Sequence, residues 1–139
     1  MIDKFETNFS EISWYSIDEN LETQENGVVS LQQAVSIINR YFSELKPRYE
    51  TGEEALAETM FGFYRTKDTF IEICIHSLSE ISFKYEMRNA DTAWYLKLWK
   101  GIQQYEETLK SREILIAKVE NFFTNLPKDY YQILKNENL

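Results

Sequence analysis

A chain of 139 residues fits one domain, and its 21 aromatic side chains give it the material for a packed core rather than a disordered chain. Its formal charge is −8, and the whole excess arises before residue 59: residues 1–30 carry seven acids against Lys4 alone, whereas eleven acids balance eleven bases from Thr59 onward. A one-signed field of this kind repels nucleic acid and anionic membrane and attracts basic surfaces, so DNA, RNA and lipid bilayers are not the expected partners.

In chain order, residues 1–29 form an acidic stretch interrupted by Phe5, Phe9, Trp14 and Tyr15 and closed by the turn signal Glu25-Asn26-Gly27, which predicts an extended or partly helical arm. Ser30 and Gln33 make a capping box, and Leu31, Ala34, Val35, Ile38, Phe42 and Leu45 keep helical spacing. The spacing predicts a helix over 30–46, stopped by Pro47, which lacks the backbone donor that a continuing helix uses. Thr51 and Glu54 repeat the capping pattern and predict a short helical turn through Glu58.

From Thr59 the period changes to two, over the region 59–100. Met60–Thr66, Thr69–Ser77, Ile81–Arg88 and Thr92–Lys100 are rich in aromatic and β-branched residues, and short polar segments separate them. Ile71, Ile73 and Ile75 are expected on one face of the second strand, with Phe70, Glu72, Cys74 and His76 on the other. In the third, Ile81, Phe83, Tyr85 and Met87 alternate with Ser82, Lys84, Glu86 and Arg88, the pattern of a sheet covered on one side. Ser111 caps a helix ended by Pro127, and Tyr130–Lys135 makes a last short one, so 111–136 are predicted as C-terminal helices. The result is a single α+β domain, a four-stranded antiparallel meander flanked by an N-terminal helix and one or two C-terminal helices.

The chemistry sought along this chain is mostly missing. The glycines at 27, 52, 62 and 101 are too scattered for a phosphate-binding loop, and one histidine cannot build a multi-imidazole metal site. No metal or cofactor is expected. The single cysteine, Cys74, excludes an intramolecular disulfide, the first residues have neither a basic nor an apolar leader segment, and no apolar run is long enough to span a bilayer; a cytoplasmic protein is expected. Glu72, Cys74 and His76 share one face of a strand as a possible orienting group, nucleophile and base. Residues two apart on a strand stand about 7 Å apart, beyond the ~3 Å contact that activation requires. A small-molecule-binding domain or enzyme around Glu72, Cys74, His76 and Tyr64 is the alternative reading. Sheet-based RNA binding is disfavoured, because Asp68, Glu72, Glu80, Glu86 and Asp91 offset Arg65, Lys67, Lys84, Arg88 and Lys97.

The leading expectation is a protein-binding surface. Trp14 and Tyr15 lie among Glu11, Asp18, Glu19, Glu22 and Glu25, so aromatic anchors stand amid carboxylates that speed encounter with a basic partner. In size, charge and α+β organisation, with the acidic stretch from Phe5 to Glu25 as its clearest carrier, the chain resembles the small acidic immunity proteins that bacteria make against toxins delivered by neighbouring cells. The resemblance implies an inhibitor that binds a basic toxin, for example a nuclease, with those carboxylates pairing to its lysines and arginines and Trp14 and Tyr15 as anchors.

Overall fold

Where period two was legible among the described residues, strands form. A computed structural model of the chain describes residues 11–18, 20–50, 59–88 and 102–137. Its described elements are β1 (Ser13–Ile17), β2 (Thr23–Val28), α1 (Leu31–Glu50), β3 (Thr59–Thr66), β4 (Thr69–Ser77), β5 (Glu80–Arg88), β6 (Ile102–Leu109), α2 (Arg112–Thr124) and α3 (Pro127–Glu137). The strands form one antiparallel sheet in the order β2-β1-β3-β4-β5-β6. The α+β class and the antiparallel meander through β3, β4 and β5 match the sequence reading, and the described sheet is wider than four strands.

Two of the additional strands come from the acidic stretch. Residues 13–28 are not an arm but a hairpin, β1–β2, that adds two strands to the sheet. The turn lies at Asp18–Glu22 rather than at Asn26-Gly27. One Asp18 carboxylate oxygen accepts the backbone N–H groups of Asn20 and Glu22, each at 2.9 Å, while Leu21 takes a positive φ of 63°. Gly27 serves instead in a β-bulge. The β1–β2 register slips by one residue between Ser13↔Val28 and Tyr15↔Glu25, and Gly27 holds a φ of +87° that other residues adopt only with strain.

The capping box of α1 forms as expected: the Ser30 N–H donates to Gln33 Oε1 at 2.9 Å and the Gln33 N–H to Ser30 Oγ at 3.1 Å. Ala34, Ile38, Phe42 and Leu45 are its buried stripe. The helix does not stop at Leu45 or Lys46, however, but runs through Pro47 to Glu50. Proline deprives one carbonyl of its partner a turn earlier, but its own φ is helical and the following residues keep their donors. The turn expected through Glu58 and the strand expected at Thr92–Lys100 lie outside the described residues. The strand that pairs with β5 is β6, in a segment left unassigned by the sequence pattern.

At the C-terminal end, Ser111 Oγ accepts the Ile114 N–H at 3.2 Å to start α2, and Pro127 opens α3, where its missing donor costs nothing. The three described helices bury their apolar residues against one face of the sheet, carried by Phe61, Phe63, Ile71, Ile73, Ile75, Ile81, Phe83, Tyr85 and Met87. Arg65, at the end of β3 on this side, donates to the carbonyls of Phe122 and Phe123 at 3.0 and 3.2 Å and places its charge at the negative end of α2. Lys118, only 5% exposed, pairs with Glu107 of β6 at 3.1 Å and Glu137 of α3 at 3.0 Å, joining three elements.

Candidate functional site

The pleat that sends isoleucines toward the helices sends a different set of residues to the opposite face, on which no described helix packs. The register lays them out in rows. One row runs Glu25–Tyr15–Gly62–Glu72–Lys84–Glu106 from β2 to β6, and its neighbour runs Tyr64–Phe70–Glu86–Gln104 from β3 to β6.

Gly62 sets the geometry of the first row. Its lack of a side chain lets the Tyr15 ring lie across β3: a Cβ at this position would stand 2.5 Å from Cζ and Oη of Tyr15 and 2.5 Å from the Ile71 carbonyl oxygen. The Tyr15 hydroxyl thereby reaches β4 and donates to Glu72 Oε1 at 2.9 Å. Tyr64 reaches the other way and donates to Glu25 Oε2 at 2.5 Å. The two rings stand 6.2 Å apart, tilted by 45°. Burial, then the adjacent Glu72 carboxylate, pushes the Tyr15 phenol well above its ordinary range; for Tyr64 the hydrogen bond to Glu25 is the main cause of a rise. Both therefore stay protonated donors at neutral pH.

These residues line a concavity of about 340 Å³, bounded by Tyr15, Ile17, Thr23, Glu25, Tyr64, Lys67, Phe70 and Glu72. It combines aromatic and aliphatic walls with two carboxylates, each keeping acceptor capacity beyond its tyrosine bond, and one lysine on the rim.

Of the residues singled out from sequence, the structure brings Tyr15 and Glu25 of the expected protein-binding surface together here with Glu72 and Tyr64 of the alternative reading. Trp14 points the other way: it lies opposite Phe63, packs on the core, and lines a separate groove with Val28, Val29 and Ile37 of the hairpin and α1. Trp14 and Tyr15 therefore stand on opposite faces and cannot anchor one flat surface together. Asp18 forms the hairpin turn, a role that lowers its pKa chiefly through the Glu22 backbone bond. Glu11 and Glu22 are exposed at the two ends of the hairpin region, and Glu19 lies outside the described residues. Gly62 and Phe70 were the missed members. Tyr64 and Phe70 sit at alternate positions of strands whose other face buries Phe61, Phe63, Ile71, Ile73 and Ile75, and large aromatics on the outer side are the signal that marks them.

Glu72, Cys74 and His76 do share the uncovered face, and Ile71, Ile73 and Ile75 are fully buried on the other, as expected. Glu72 accepts from Tyr15, His76 Nε2 lies 2.7 Å from Ser82 Oγ, and the Cys74 side chain is buried. Among the described residues, no three His, Cys, Asp or Glu side chains converge in a way that would hold a metal ion. No described helix is long and apolar enough to cross a membrane. No protein-family model, curated protein or solved structure matches the chain.

Proposed function

We propose that the protein is a cytoplasmic protein-binding domain that acts as an immunity-type inhibitor, neutralising a basic toxin such as a nuclease through the acidic, aromatic face of its sheet. The observation that carries this reading is the pairing of Tyr15 with Glu72 and Tyr64 with Glu25 around a concavity on the face that no described helix covers. Aromatic side chains held rigid by hydrogen bonds lose little entropy on binding, and carboxylates beside them favour a basic partner over an acidic one. The surplus of negative charge in the hairpin region adds long-range attraction.

Affinity capture from source cells at low and moderate salt, followed by kinetics with the protein retained, tests the reading. A stoichiometric basic partner is expected, whose activity falls on binding. Reversing Glu11, Glu22 and Glu25 to lysine is expected to slow association about tenfold at low salt and to flatten its salt dependence. Retention of no basic protein, or association indifferent to those reversals, contradicts it.

A ligand-binding or enzymatic role is favoured by one observation, a second concavity of about 280 Å³ on the same face lined by Glu72, Cys74, Ser82, Lys84 and Glu106. Rapid thiol labelling of the native protein would support that role. Labelling only after denaturation would remove it.

A further inference from the structure

We infer that the concavity between β1, β2, β3 and β4 is a pocket for one arginine side chain of the partner, its guanidinium held between Glu25 and Glu72 and against the rings of Tyr15, Tyr64 and Phe70. This rests on the protein-binding reading and names the chemistry that the site selects.

The fit follows from shape and charge. At about 340 Å³ the space lies near the lower end of ligand-pocket sizes, suited to one side chain rather than to a nucleotide or a helix. Glu25 and Glu72 come from strands separated by β1 and β3, so acceptors stand on both sides of the opening. Each carboxylate has spent one bond on a tyrosine, at 2.5 and 2.9 Å, and the phenol oxygens retain lone pairs of their own. A planar group with a fork of N–H donors satisfies such a set while stacking on an aromatic wall, whereas an ammonium does so as a compact, strongly hydrated point. Lys67 on the rim offsets one of the two carboxylates, leaving the lining with one net negative charge. The pocket therefore attracts a single cation and has no excess to hold two.

The test follows the ring resonances of Tyr15, Tyr64 and Phe70 by NMR while the intact chain is titrated at low salt with capped tripeptides carrying arginine, lysine or citrulline between glycines. Arginine is expected to give saturable ring shifts, lysine to bind several-fold more weakly, and citrulline, which has nearly the same shape without the charge, to give none. Glu72→Gln is expected to weaken the arginine peptide about tenfold, the loss of a charge-assisted contact, and Lys67→Ala to tighten it. Free arginine, whose own carboxylate meets an acidic face, should bind less well than the capped peptide. Tighter binding of free arginine would overturn the partner side chain as the source and point to an amino-acid ligand. Equal shifts with citrulline, or an unchanged affinity in a folded Glu72→Gln variant, would overturn the pocket. Equal, ring-silent responses to arginine and lysine spread over Glu11, Glu22 and Glu25 would also overturn the pocket, yet leave a merely acidic protein-binding surface. Failure to retain any basic protein in the capture experiment removes that wider reading itself.

Discussion

On the helix-covered face of the sheet, buried Tyr85 donates to the Pro127 carbonyl at 3.1 Å and Tyr130 of α3 to the Lys118 carbonyl at 2.8 Å, whereas on the opposite face Tyr15 and Tyr64 donate to carboxylates. A backbone carbonyl inside the fold belongs to the fold, and a tyrosine bonded to it contributes to stability alone. A carboxylate at a surface concavity keeps its charge and further lone pairs for a partner. The covered side has a carboxylate acceptor too, Glu107 for Tyr105, but Lys118 takes up that charge, so the tyrosines there are structural, whereas on the proposed function Tyr15 and Tyr64 serve recognition.

Substitutions sharpen that contrast, the largest effect coming from the covered face. Phe122→Ala removes a fully buried ring packed against Tyr85 and Tyr130, and is expected to cost about 3–5 kcal/mol in denaturant unfolding. Phe70→Ala, on the other face and half-buried, is expected to cost less than about 1.5 kcal/mol while impairing partner binding. Equal costs would erase the distinction between the faces.

Gly62→Ala acts on both properties, since the new Cβ would collide with the Tyr15 ring and the Ile71 carbonyl. A loss of about 1–3 kcal/mol is expected, together with displacement of the Tyr15 resonances. Combined with Tyr15→Ala the two costs should fall short of additive, which a double-mutant cycle measures. Full additivity would mean that the ring does not lie across Gly62.

The smallest effect is expected at the hairpin turn. Hydrogen bonds to its charged form hold Asp18 below the usual carboxylate range, so its contribution is present above the unfolded-state pKa and is lost as pH falls through the lower folded value. Amide exchange at Asn20 and Glu22 should speed up in Asp18→Ala relative to the parent chain at neutral pH, and the difference should vanish in acid. A difference that persisted below the folded value would show that the charge is not what holds the turn.

The covered face was legible because burial on one side only writes itself as alternation: Ile71, Ile73 and Ile75 in β4, and Ile81, Phe83, Tyr85 and Met87 in β5. The edges were not. β2 reads Thr-Gln-Glu-Asn-Gly-Val and is exposed throughout, so its strand character comes from pairing with β1 rather than from its own side chains. β6 spaces Ile102, Tyr105 and Leu109 three and four apart, a helical period, yet pairs along its whole length with β5. The concavity was half legible for the same reason. Tyr15 and Glu25 stood out as an aromatic among acids, but their meeting with Tyr64, Phe70 and Glu72 depends on a hairpin and a register that no local pattern encodes.

The most direct measurement is an amide hydrogen-exchange footprint of the captured basic partner on this chain. Slowed exchange is expected along β1 and β2 and at the Tyr64–Phe70 turn between β3 and β4, with α1, α2 and α3 unchanged. Protection confined to the helices, with the hairpin unaltered, would contradict recognition through the uncovered face.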